Sequence, residues 1–140
     1  MRKVFADTSY FIAMLNRQDQ WHEEAKAAFL KLNPFHLVTS EMVFVELLNA
    51  FGGKGTSLRK KAVLTIEHLQ NAQDATVAPQ TAEQFQHAVS SYKQHEDKSW
   101  GLTDCSSILI MRQQGLTEVL TSDRHFTQAG MTVLIQEERR

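Results

Sequence analysis

Hydrophobic and polar positions along the chain alternate between the periods of strands and helices. Lys3 to Ala6 is a short apolar run holding Val4 and Phe5 and ended by Asp7; it predicts a buried parallel strand. Thr8 to Leu15 reads as a helix. Gln20 to Leu32 reads as a second, because Ala25, Phe29 and Leu32 recur at i, i+4 and i+7 with charges on the other side. Phe35 to Thr39, after Pro34, predicts the next strand. Ser40 suits the N-cap of a helix from Glu41 to Phe51 that Gly52-Gly53 stops. Thr56 to Gln70 is helical in pattern, with Leu58, Ala62 and Ile66 in register. Thr76 to Ala78 reads as a strand, Ala82 to Gln94 as a helix, and Glu96 to Leu102 as a polar loop holding Trp100. Thr103 is the expected cap of a helix that runs through Met111 and ends near Gly115. Glu118 to Thr121 follows as a strand, then a short helix opened by Asp123 and ended by Gly130. Met131 to Ile135 is the last strand, and Gln136 to Arg140 a polar tail.

Strands separated by helices predict an α/β sandwich built on a parallel sheet. The length, 140 residues, suits one domain over the whole chain, 1–140, able to bury a core without staples. One cysteine, Cys105, rules out a disulfide framework within the chain. Fifteen Lys+Arg against sixteen Asp+Glu leave a net charge of −1, which excludes a protein that coats nucleic acid by bulk positive charge but not a local basic patch. No stretch is long enough to cross a bilayer. The first residues are like a signal peptide only as far as Ala6, because Asp7 falls inside the would-be apolar region and no small-residue cleavage site follows. A mature cytoplasmic chain is expected.

In a parallel α/β sheet, ligands sit beyond the carboxyl ends of the strands. Asp7 ends the first predicted strand, and Asp123 lies two residues past Thr121, the end of the fourth. Glu46 interrupts the apolar run Met42 to Phe51 together with Asn49, and an ionised carboxylate taken out of water is costly unless something offsets it. Asp104 sits in the first turn of an apolar helix. Each residue also has a plain structural reading: Asp7 as a cap, Glu46 with Asn49 as a thin solvent stripe, Asp104 and Asp123 as acids favoured at helix N-termini. Converging carboxylates repel unless a proton or cation lies among them, and hard oxygen donors suit Mg²⁺ or Mn²⁺. Such an ion acidifies water and offsets charge on a phosphate, so an acidic site of this kind suggests phosphodiester hydrolysis.

Phe5-Ala-Asp7-Thr-Ser9, Glu46 on its helix, Leu102-Thr-Asp104-Cys105 and Leu120-Thr-Ser-Asp123-Arg-His-Phe126 resemble, in order and spacing, the four acidic motifs of PIN domains. The chain is similar in particular to the VapC-type ribonuclease toxins of type II toxin–antitoxin pairs. Each motif is short; the ordered set is more specific, and Thr-x-Asp-x-x-Phe is its most telling part. The resemblance implies a three-layer α/β/α sandwich around a five-stranded parallel sheet and a metal-dependent endoribonuclease. It carries the acidic metal site and catalysis onto Asp7, Glu46, Asp104 and Asp123, and supporting hydroxyls onto Ser9 and Thr121. It also implies Mg²⁺ or Mn²⁺ as cofactor, an RNA substrate, a small antitoxin as partner and a homodimer. The rival expectation is a non-catalytic PIN-like module that binds RNA or a protein; the presence of all four acids argues against it.

Other signals carry less. Gly52-Gly-Lys-Gly55-Thr56 lacks the Lys-Ser/Thr pair and the preceding strand of a phosphate loop, so it reads as a helix stop. The six histidines show no zinc spacing, and His125 reads as a helix-surface residue although a phosphate contact is open to it. Trp100 with Lys98, and Trp21 with His22, read as packing or ordinary surface before they read as base-stacking platforms. Lys54, Arg59, Lys60 and Lys61 form the one basic cluster and read first as a solvated face.

Overall fold

The computed structural model describes residues 1–137, so residues 138–140 of the expected polar tail lie outside it. Five strands form one sheet: β1 (Lys3–Ala6), β2 (His36–Ser40), β3 (Ala75–Ala78), β4 (Glu118–Leu120) and β5 (Thr132–Val133). The spatial order is β3-β2-β1-β4-β5, and every neighbouring pair is parallel. The helices are α1 (Thr8–Leu15), α2 (His22–Leu32), α3 (Glu41–Phe51), α4 (Thr56–Asn71), α5 (Ala82–Gln94) and α6 (Leu102–Gln113), followed by a 3-10 turn over Arg124–Ala129. Right-handed crossovers place α1 to α4 on one face as the chain walks from β1 to β3, and α5 and α6 on the other as it returns to β4. The result is the expected α/β/α sandwich. Among the described residues, no helix is long and apolar enough to cross a membrane.

The inner strands are apolar because both faces are covered: Val4, Phe5, Ala6, Val38, Val119 and Leu120 are all buried. Helices contribute Val43, Leu47, Phe51, Cys105 and Met111 to the same core. Ser40 caps α3 as its sequence predicts, accepting from the Val43 N–H at 3.1 Å. Gly115 ends α6 in a left-handed conformation (φ 68°) that glycine adopts without strain. Its N–H bonds Arg112 O, and Leu116 N–H reaches back to Met111 O at 2.8 Å, which aims the chain into β4.

Boundaries differ from expectation where side chains intervene. Helix α2 starts at His22, not Gln20, because the Asp19 carboxylate accepts from Trp21 N–H and holds a turn there. Thr103 is not the cap of α6: Gly101 holds that position, the helix starts at Leu102, and Asp104 reaches back to Gly101 N–H. The short helix after Asp123 is a 3-10 turn. Strand β5 is only two residues long, although Leu134 and Ile135 still donate to Val119 O and Thr121 O.

Candidate active site

The chain leaves β1 toward β2 and β3 on one side and returns to β4 on the other. The order therefore reverses between β1 and β4, and the carboxyl ends of these two strands flank the position where open α/β sheets bind ligands. Asp7 follows β1 and Thr121 follows β4. Asp7 N–H donates to Leu120 O, so the two loops leave the sheet side by side.

Asp7 occupies the position before α1 but makes no capping bond to it, so the plain cap reading fails. Its Oδ2 instead accepts from Thr121 Oγ1 at 2.9 Å, across 114 residues of sequence. Because that hydroxyl spends its only proton on Asp7, the 2.8 Å Ser9 contact must run from Ser9 Oγ–H to Thr121 Oγ1. Thr121 Oγ1 also accepts from Asp123 N–H, and Ser9 Oγ from Ser122 N–H. Both hydroxyls expected near the site thus tie the loop after β4 to the loop after β1.

Asp7 is buried and its Oδ1 has no partner among the described residues. Burial raises its pKa to about 7, and the charges of Asp104 and Glu46 add to that rise against the Thr121 hydrogen bond. Asp104, at the start of α6, is also pushed above the usual carboxylate range, chiefly by burial and further by Asp123 and Glu46; the Gly101 N–H and His125 pull the other way. Asp104 Oδ2 accepts from Gly101 N–H at 3.0 Å. Asp123 Oδ1 accepts from His125 N–H at 2.9 Å and opens the 3-10 turn. Asp104 and Asp123 therefore do fill the helix-start roles open to them, and they face each other as well.

The three aspartates share one pattern. In each, one carboxylate oxygen is held by the protein and the other is left without a protein hydrogen bond among the described residues. That donor set suits a hard divalent cation, whose charge would offset the repulsion among the acids. Glu46 lies on an exposed part of α3, close enough for its charge to be felt by both Asp7 and Asp104. It is thus a solvent-facing residue and a neighbour of the site at once.

A model of the PIN domain matches residues 4–130. The chain belongs to the PIN domain family. Across 135 residues it is 27% identical to the 23S rRNA-specific endonuclease VapC20 of Mycobacterium tuberculosis, covering 91% of this chain and 94% of that protein. The crystal structure of M. tuberculosis VapC20, a sarcin-ricin loop cleaving toxin, superposes with a TM-score of 0.80 at 22% identity, covering 92% of this chain and 96% of that one. FitAcB from Neisseria gonorrhoeae matches with a TM-score of 0.63 at 21% identity over 94% and 96% of the two chains. At these identities the superpositions establish the fold.

In this PIN domain the acidic group includes a residue that sequence reasoning set aside. Ligand-capable atoms of Asp104, Asp123 and His125 lie within 4.8 Å of one another. His125 is not free helix surface: its Nδ1 is 3.1 Å from Asp123 Oδ1, yet off the line of a hydrogen bond, and is buried without a partner among the described residues. The signal available was its place two residues after Asp123, where a tight turn brings side chains together. Trp100 is packed rather than offered to a base. It lies against His95, and its Nε1–H donates to Gln128 Oε1 at 2.9 Å, strapping the start of α6 to the 3-10 turn. His22 is similarly engaged, with Nδ1 2.7 Å from Ala13 O. In the basic cluster, Arg59 donates to Gly52 O at the end of α3, and its neighbours are exposed.

Proposed function

We propose that this PIN domain is a divalent-metal-dependent endoribonuclease, the cytoplasmic toxin of a type II toxin–antitoxin pair. The observation that supports the reading is the grouping of Asp104 with Asp123, with the buried Asp7 near enough to feel the charge of Asp104; each of the three is fixed by one oxygen and has no hydrogen bond at the other among the described residues. The curated relative, an endonuclease acting on 23S rRNA, supports RNA as the substrate class.

Asp7, Asp104 and Asp123 would hold Mg²⁺ or Mn²⁺, with Glu46 adding charge at the open side. A bound ion of this class acidifies a water and offsets charge on the phosphate in an in-line displacement. The chain's own residues prepare the place. Thr121 and Ser9 lock the Asp7 carboxylate, Gly101 N–H fixes Asp104, and the tight turn fixes Asp123. Glu46, facing solvent, would take the proton that the attacking water loses, and the leaving oxygen would take one up from solvent. The antitoxin and a second copy of the chain remain the proposed partners. Phe85, Val89 and Tyr92, exposed at i, i+4 and i+7 on α5, supply an apolar stripe suited to such a contact.

The test is incubation of the pure protein with ribosomal and mixed RNAs in Mn²⁺, in Mg²⁺ and in excess EDTA. Cleavage is expected with metal, is abolished by EDTA, and falls by at least about a hundredfold in Asp7→Asn and Asp104→Asn. Cleavage that survives excess EDTA overturns the metal mechanism. RNA binding with no cleavage under any metal returns the non-catalytic module.

A further inference from the structure

We propose that His125 is a nitrogen ligand of the metal site, forming with Asp104 and Asp123 a mixed imidazole–carboxylate set that favours Mn²⁺ over Mg²⁺. The inference rests on the metal-site reading above and adds a donor to it.

Atoms of these three residues that can bind a metal lie within 4.8 Å of one another. Two ligands on opposite sides of one divalent ion are about 4.2 Å apart, given metal–ligand distances near 2.1 Å. The three groups therefore need little movement to share an ion. A second feature suits a cation nearby: Asp7, outside that group but near enough to feel the charge of Asp104, is 4% exposed, and its buried Oδ1 has no partner among the described residues. A third lies on His125 itself, whose Nδ1 is buried and unpartnered although it sits 3.1 Å from Asp123 Oδ1. A settled imidazolium–carboxylate pair would align its N–H with the acceptor. An unaligned ring nitrogen 3.1 Å from Asp123 Oδ1, in a group that also holds Asp104, is instead free to offer a lone pair to an ion. Local chain geometry explains how it gets there. Asp123 Oδ1 binds His125 N–H, so the tight turn brings the imidazole alongside the carboxylate. All-oxygen sets suit Mg²⁺ and Mn²⁺ alike, whereas an imidazole nitrogen suits first-row transition ions; Mn²⁺, at the weak end of that series, accepts nitrogen more readily than Mg²⁺ does.

The test is pulsed electron paramagnetic resonance on the protein carrying one equivalent of Mn²⁺, reading the electron spin-echo modulation from directly bound ¹⁴N. Wild type is expected to show this modulation, and His125→Gln to lose it while still binding Mn²⁺. Calorimetric titration should show the Mn²⁺-to-Mg²⁺ affinity ratio falling about tenfold in His125→Gln. Mn²⁺ bound to wild type without ¹⁴N modulation overturns the inference while leaving the carboxylate metal site standing. Modulation that persists in His125→Gln also overturns it, since another histidine would then hold the ion. Failure of wild type to bind Mn²⁺ at all overturns both this inference and the metal-dependent reading.

Discussion

Asp7 concentrates the conflict at this site, because it is an acid buried beside other acids. Its folded pKa of about 7 stands well above the usual carboxylate value near 4. Between those pH values the folded chain keeps a proton that the unfolded chain has lost. The stability of the metal-free protein must therefore fall as pH rises through that window, and the cost is fully present above it. Asn at this position cannot ionise, and its amide oxygen can still accept from Thr121. The advantage of Asp7→Asn over wild type should be small near pH 4 and grow to on the order of a few kcal/mol near pH 8, in urea unfolding with EDTA present. A variant that is less stable than wild type at both pH values would mean that the carboxylate serves the scaffold rather than a site. The periodicity of the chain marks where β1 ends, but not that Asp7 bonds Thr121 or lies unpaired. Those facts depend on a contact across 114 residues, which no local pattern encodes.

At the scale of elements, local patterns were informative wherever one element's own residues decide its form. Ser40 caps α3, strands β1 to β4 lie within a residue of where their runs predict, and Gly130 ends the turn after Asp123 with a left-handed φ of 81°. The sequence was misleading where a distant partner decides. Thr103 looks like a cap, but Asp104 holds Gly101 N–H and α6 starts at Leu102, just after Trp100 packs on His95 and bonds Gln128. His125 looks like helix surface only if the segment is an α-helix; as a 3-10 turn pinned by buried Phe126 and capped by Asp123, it carries the ring into the acidic group. The strap from Trp100 to Gln128 thus holds together the two elements that present Asp104 and Asp123. Trp100→Phe retains most of the ring's packing and removes the bond to Gln128. It should lower stability by only about 1 kcal/mol in urea unfolding. Its Mn²⁺ affinity, measured by calorimetry, should fall severalfold, because the spacing of the two aspartates is then less firmly held. Equal affinity in variant and wild type would show that the core positions the site without the strap.

Across the whole molecule, the proposed site joins the first residues of the chain to the last third: Asp7 follows β1, Asp104 begins α6, and Asp123 follows β4. An ion that binds only when all three meet must stabilise the folded state by mass action, by about 2.7 kcal/mol at a hundredfold excess over Kd. For a chain of this size that is a rise of several degrees in Tm. Adding Mn²⁺ to EDTA-treated wild type should produce that rise, and EDTA should reverse it. Two substitutions at Asp104 separate the ion's contribution from the fold's. Asp104→Asn keeps an acceptor for Gly101 N–H, so without metal its Tm should equal or exceed that of wild type as repulsion from Asp123 and Glu46 is relieved. Asp104→Ala loses that acceptor as well and should cost about 1 kcal/mol without metal. Both should lose most of the Mn²⁺-induced rise. If Asp104→Asn still gains the full wild-type increment, the ion binds elsewhere, and the grouping of Asp104 with Asp123 is a matter of helix starts alone.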